Sequence, residues 1–474
     1  MSIATGSSAH PAHPPSPEPS LPFHLRGNFA PVMAELTAFE LPVKGAVPRP
    51  LHGLYARNGP NPRSGQSPHW FVGDGMLHGV ALRDGRALWY KNRWVRTRTF
   101  LEDARAIQPD GQRDLTAGVA NTHVIAHAGR ILALVETSFP TEVTRELDTR
   151  GCFDFDGRLT TGMTAHPKIC PRTGELHFFG YSFMPPFLVY HRADARGRLV
   201  QSEVIEVPGP TMMHDFAITE RHVVFMDLPI VFDLELATTG HMPYRWSDEY
   251  GARLGVMPRG GASGDVRWFE IAPCYVFHPL NAYEDEHGAI VIDVVRYPEL
   301  WRGGSSTSVS PTWTTGRRHL PALHRWRIDL TIGRASEQPL DDRAIEFPRC
   351  DERRVGLAHR YGYAVHTREG ADSGAGTALI KYDLHTGTSI VHDFGPGRAP
   401  AEPVFVPRSR HAEEDEGWVM AYVYDASRDR SDLAILDAAD FAGEPVAMIA
   451  LPQRVPFGFH GSWIPDAPVP GTAE

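Results

Sequence analysis

The feature that most constrains this chain is its repetition of short β-branched and aromatic runs, each bounded by Gly, Pro, Asp or Asn, from near Leu21 almost to the C-terminus. Such runs are strand and turn chemistry, and amphipathic helical periodicity is almost absent. Clear strand candidates are Ala87–Val95, Ile131–Glu136, Glu175–Phe179, His222–Met226 and Ala289–Val295. Leu323–Leu330, Ala378–Leu384, Trp418–Tyr424 and Asp432–Leu436 continue the series. The stretches ALRDGRALWY, AHAGRILAL, YEDEHGAIVI and YDLHTGTSIV read as hairpins.

An antiparallel chain of this length must hide its sheet edges, and radial repetition of small sheets is one stable solution. The fold expected is therefore an all-β propeller. Four-stranded blades of roughly 40 to 60 residues give six to eight of them, with seven as the central value. The irregular stretches Arg98–Ala117 and Glu299–Arg318 are too long for hairpin loops, and Trp301–Gly316 reads as a surface insertion or a flap. Residues 1–20 are a Pro-rich tail expected to be disordered, residues 21–465 a single propeller domain, and residues 466–474 a flexible C-terminal tail.

Charge and cysteine usage narrow the function. A formal charge of −10 without a sustained Lys/Arg run argues against nucleic acid as a partner. Cys152, Cys170, Cys274 and Cys350 form no CxxC and suit a reducing compartment. Neither a signal peptide nor a window of ~20 apolar residues is found, so a cytoplasmic location is expected, with contact at a membrane surface still open.

With 24 histidines in the chain, one alone means little. A histidine in an apolar strand is usually a satisfied core residue. His166 (TAHPK), His214 (TMMHDF), His278 (YVFHPLNA) and His460 (FGFHGSW) share apolar settings and wide separation. Strands of different blades converge on a propeller axis, so these four could meet and enclose a metal. Imidazole alone does not choose among Fe(II), Cu and Zn. The adjacent pair His214-Asp215 resembles metal phosphohydrolase motifs, but the setting is neither helical nor carboxylate-rich. Metal-bound histidines need carboxylate or carbonyl partners for their second ring nitrogen. Glu136, Glu346 and Glu402 lie at the margins of apolar strands, although each alone reads as an exposed strand-end acid. The run Glu413–Glu416 reads as a solvated turn.

The runs LYARNGPNPR, HWFVGDGMLHG, TAHPK, MMHDFAIT, FMDLP, FPR and GFHGSW together resemble the carotenoid cleavage oxygenase family, in family order and over nearly the whole chain. The resemblance implies a seven-bladed propeller whose loops and short helices cap an axial Fe(II) held by His166, His214, His278 and His460. It assigns Glu136, Glu346 and Glu402 the orientation of three ligands, and Thr122 (VANTHV) the restriction of one open metal position. It implies oxidative cleavage of a conjugated C=C bond of a carotenoid or apocarotenoid by O2, giving two carbonyl products. A lipophilic polyene calls for an apolar tunnel, for which Phe71, Phe277, Phe459 and the SFMPPFLVY run are candidates. The stilbene-cleaving branch carries a lysine where this chain has Val135, which disfavours a phenol substrate. Isomerase or hydrolase chemistry on the same scaffold, and a metal-free binding propeller, are the other readings. Since carotenoids reside in membranes, the tunnel mouth is expected to present an apolar patch to a bilayer.

Overall fold

The protein was analysed as a computed structural model that describes residues 21–108, 112–238, 242–302, 320–367 and 376–466. The expected Pro-rich tail, the tail beyond Asp466 and nearly all of the Trp301–Gly316 insertion lie outside the described residues.

The hairpin reading holds, and its turn chemistry explains why. Asp84-Gly85 and Ala128-Gly129 all adopt positive φ (51°, 76°, 49° and 78°), the two-residue turn that matches the twist of the flanking strands. Seven antiparallel sheets of four or more strands, together with one two-stranded ribbon, form a seven-bladed propeller with few helices. Blade 2 runs His123–His127, Arg130–Leu134, Thr141–Val143 and Thr149–Cys152. Blades 3 to 6 begin with the inner strands Lys168–Ile169, Phe216–Ile218, Tyr275–Glu284 and Ile345–Arg349, each followed outward by three more. In blade 7 the inner edge is split into Arg398–Pro400 and Val404–Pro407, both paired with Gly417–Asp425.

Blade 1 closes the ring. Its inner strand is the C-terminal Gly461–Pro465, paired antiparallel with Gly53–Pro60, so the two ends of the propeller meet in one sheet. Core side chains between blades are large and fully buried, among them Trp326, Tyr55, Tyr190, Tyr363 and Phe216. The helices Arg98–Glu102 and Leu234–Thr238, with the ribbon Ile230–Phe232/Tyr244–Trp246, form a cap. The helix Arg98–Glu102 thus places the start of the Arg98–Ala117 stretch in that cap. Among the described residues no helix is long and apolar enough to cross a membrane.

The Glu413–Glu416 run departs from expectation. Glu414 accepts the backbone N–H groups of Arg360 and Tyr361 at 2.7 Å each, and Asp415 pairs with Lys381 at 2.9 Å. Backbone donors at the start of a blade 6 strand need acceptors, and this turn of blade 7 supplies them.

Candidate metal centre

The inner strands bring distant residues to one level on the axis. His460 directly precedes the inner strand of blade 1, His166 and His214 lie two residues before those of blades 3 and 4, and His278 sits within that of blade 5. Around His278 the ladder shifts register between Val276 and Pro279, and around Glu346 of blade 6 between Glu346 and Arg349. Phe347 there has φ 54°. Glu402 occupies the gap between the two halves of the blade 7 inner edge. At each place the regular ladder is interrupted, which re-aims side chains toward the axis.

The four histidine rings cluster. Centroids of His166 lie 4.4, 5.0 and 4.6 Å from those of His214, His278 and His460, and His278 lies 4.8 Å from His460. The Nε2 atoms of His214 and His278 face each other at 3.4 Å. Three carboxylates sit behind the rings. His278 Nδ1 donates to Glu346 at 2.6 Å and His460 Nδ1 to Glu402 at 2.8 Å, while His214 Nδ1 makes a short contact with Glu136. Contrary to the reading of these acids as exposed strand ends, they are only 8% (Glu136), 0% (Glu346) and 3% (Glu402) exposed. Their burial is possible because each has polar partners. Tyr181 donates to Glu136 at 2.5 Å, and Tyr297 and the Phe347 N–H to Glu346 at 2.6 Å each. The Gly461 N–H and Arg349 reach Glu402 at 2.8 and 3.1 Å.

These contacts fix the chemistry of the cluster. With Nδ1–H committed to a carboxylate, a neutral ring presents only a lone pair at Nε2. Two such lone pairs 3.4 Å apart repel unless a proton or a metal cation lies between them. His166 Nε2 is buried with no hydrogen-bond partner, an expensive state for a polar atom that a cation would relieve. Burial, then the neighbouring histidines, holds His166 well below the usual histidine range. Burial, then His278 and Arg349, does the same to His460. Neutral imidazole is the ligating form. Burial works against a charged His278, but Glu346 overrides it and raises that ring's pKa, which makes it a stronger donor to a cation. His166, His278 and His460 offer ligand atoms within 4.8 Å of one another, so the donor set fits a metal ion.

A cavity of about 1420 Å³ reaches the cluster from under the cap. His214, His278 and His460 line it together with Thr122, Val135, Phe71, Phe277 and Phe459. Phe71 packs edge-on against Phe459 (5.6 Å) and Phe277 (6.5 Å), and Phe277 against His214 (5.1 Å). Thr122 precedes the inner strand of blade 2, and its hydroxyl donates to Asn121 Oδ1 at 2.9 Å. Of SFMPPFLVY, Ser182 and Phe183 reach this wall, while Leu188 and Tyr190 are core.

Four residues at the site escaped the sequence reading. Trp301 lies 5.9 Å from Phe277 and 6.3 Å from Phe71 in the cavity wall, hidden in a stretch without strand periodicity. Tyr181 and Tyr297 each end a strand buried at nearly every residue, so no alternation marked a face toward the site. His123 sits 5.3 Å from His460, but its Nδ1 is taken by the Ala165 carbonyl at 2.9 Å, and burial first, then His460, pushes its pKa to about 3.

The comparisons with known proteins give the family and the fold. A family model described as retinal pigment epithelial membrane protein matches residues 29–465. A carotenoid cleavage oxygenase of Mycobacterium tuberculosis is 43% identical, over 93% of this chain and 97% of its own. A carotenoid 9,10(9',10')-cleavage dioxygenase of Arabidopsis thaliana is 35% identical, over 94% and 91%. The crystal structure of a lignostilbene dioxygenase from Pseudomonas brassicacearum superposes with a TM-score of 0.85 at 32% identity, covering 95% of this chain and 100% of that one. On sequence and fold together, the chain is an enzyme of the carotenoid cleavage oxygenase family.

Proposed function

We propose that this chain is a non-haem Fe(II) dioxygenase that cleaves one conjugated C=C bond of a carotenoid or apocarotenoid, with residues 21–465 acting as a single catalytic domain. The observation that carries this reading is a buried cluster of four histidines, three backed by carboxylates, at the inner end of an aromatic-walled cavity. His166, His214, His278 and His460 would hold the iron, which when bound supplies a redox-active centre for O2. The reaction is balanced without a reductant: the C=C and O=O bonds break, two C=O bonds form, and one alkene with one O2 becomes two aldehydes or ketones.

The protein's own part is positioning. Glu136, Glu346 and Glu402 keep the ring protons at Nδ1 and the rings in place, and supply no proton to substrate. Phe71, Phe277 and Phe459 present flat apolar faces to a polyene, whose position along the cavity selects the bond. Thr122, its hydroxyl engaged by Asn121, narrows the approach beside the histidines. Leu21, Val72, Ile107 and Leu234 are exposed and also line the cavity, so its mouth is apolar and suited to a bilayer surface.

Likeness to a lignostilbene dioxygenase supports a second reading, stilbene cleavage. Val135 on the cavity wall offers no cation for a phenolate, which favours the polyene.

The test is metal analysis of protein purified without added metal, then anaerobic Fe(II) loading and assay in air on carotenoids, apocarotenoids and stilbenes. About one iron per chain and O2-dependent carbonyl products from a polyene are expected. Protein that binds no iron would overturn the metal centre. Iron-loaded protein acting on stilbenes alone would select the second reading, and iron with non-oxidative products would select isomerase or hydrolase chemistry.

A further inference from the structure

Three of the four histidines have a carboxylate on Nδ1, and the fourth has one waiting. Asp215 Oδ2 lies 3.8 Å from His166 Nδ1, with the two side chains 2% and 5% exposed. That separation is too long for a direct hydrogen bond, but one water or a small turn of the ring closes it. Asp215 is aimed by its other oxygen: Oδ1 takes Lys168 Nζ at 2.7 Å and the Phe216 N–H at 2.7 Å. Lys168 is two residues from His166 and Asp215 is next to His214, so the pair ties together the ligand segments of blades 3 and 4.

The chamber behind the cluster gives water access to this gap. A second cavity of about 770 Å³ runs along the axis on the side away from the cap and is lined by residues of all seven inner strands. His166, Lys168 and Asp215 all line it. Unlike the other three histidines, His166 lines this chamber and not the substrate cavity.

We propose that Asp215, held by Lys168, is the positioning carboxylate of His166, completing a set in which each metal-binding histidine has its own acid. The proposal rests on the metal-centre reading above. A buried Asp–Lys pair that serves stability alone is the competing account, and it leaves the ligand field untouched.

Co(II) serves as the probe metal. Wild-type, Asp215→Asn and Lys168→Met proteins are loaded with it, and the Kd from chelator competition is recorded beside the visible absorption bands and the thermal midpoint. Asp215→Asn is expected to raise the Kd ~10- to 100-fold and to shift the bands, with Lys168→Met moving both in the same direction by less. A lower thermal midpoint with unchanged Kd and bands in Asp215→Asn would overturn the proposal in favour of the structural pair. Should Asp215→Asn not fold, Lys168→Met decides alone: wild-type Kd and bands there would overturn it. Wild-type protein that takes up no Co(II) would remove the metal centre itself, an outcome separate from the others.

Discussion

Glu346 concentrates the competing energies of the site. It is fully buried, and removing water from a carboxylate costs several kcal/mol unless partners replace the lost solvation. Here three donors do so: His278 Nδ1, the Tyr297 hydroxyl and the Phe347 N–H, all at 2.6 Å. His278→Ala deletes a proposed metal ligand and also strips one donor from a buried charge, so it is expected to lose bound metal and to cost roughly 3–5 kcal/mol of stability. Glu346→Gln keeps volume and an acceptor but cannot serve all three donors as an anion does. It is expected to fold, to bind Fe(II) or Co(II) ~10- to 100-fold more weakly, and to lose activity in proportion. Metal titration beside urea unfolding separates the two variants. Equal metal affinity in Glu346→Gln and wild type would show that the carboxylate stabilises the fold without tuning the ligand.

Among the elements, the C-terminal strand Gly461–Pro465 has the largest consequence, because it both closes the ring and delivers His460. Its ladder bonds include Asn58 N–H to the His460 carbonyl (3.0 Å) and Asp466 N–H to the His52 carbonyl (3.0 Å). The two-residue period of an antiparallel ladder makes Leu54 and Ile464 a hydrogen-bonded pair between them. Ile464→Ala is expected to cost roughly 2–5 kcal/mol through lost packing alone. Ile464→Pro removes a ladder donor as well, adds roughly 1–3 kcal/mol for the unpaired carbonyl opposite, and should loosen metal binding through His460. Equal stability and metal retention in the two variants would mean that packing, not the ladder, closes the ring. Strand elements of this kind were legible because their cause is local: Asp84-Gly85 announces a hairpin from two residues. Burial of Glu402 was not, because its partners His460 and Gly461 lie 58 and 59 residues away and meet it only after closure. Residue-level reasoning singled out the three glutamates but read each alone as an exposed strand end; the family resemblance gave them the role of orienting ligands. Asp215 was noted beside His214 but given no role, since Lys168 joins it only when blades 3 and 4 pack.

The whole molecule has two unlike ends. Away from the cap, the axial chamber is bordered by Arg349, Arg353, Arg408 and Arg410, with Asp351 and Glu352 among them. At the capped end the cavity opens among Leu21, Val72, Ile107 and Leu234, the last 70% exposed, with Arg26, Arg63 and Arg105 and the acids Asp74 and Asp103 beside them, Arg63 being paired with Asp103. Exposed Leu and Ile at one rim lose contact with water on entering an interface, at ~25 cal/mol per Å² of apolar surface, and the adjacent cations favour anionic headgroups. With this rim as the proposed membrane-facing surface, a polyene dissolved in a bilayer would pass into the cavity without crossing water. Leu234→Asp is expected to weaken co-sedimentation with vesicles of mixed neutral and anionic lipid, because a charge replaces buried apolar area at the rim. It should raise KM for a polyene presented in those vesicles more than KM for a short detergent-dispersed apocarotenoid, since only the first must enter from the bilayer past this rim. Arg410→Ala at the opposite end provides the orientation control and should change neither quantity. Vesicle binding that falls equally in both variants would indicate attraction by overall charge; binding unchanged in Leu234→Asp would remove this rim as the membrane-facing surface.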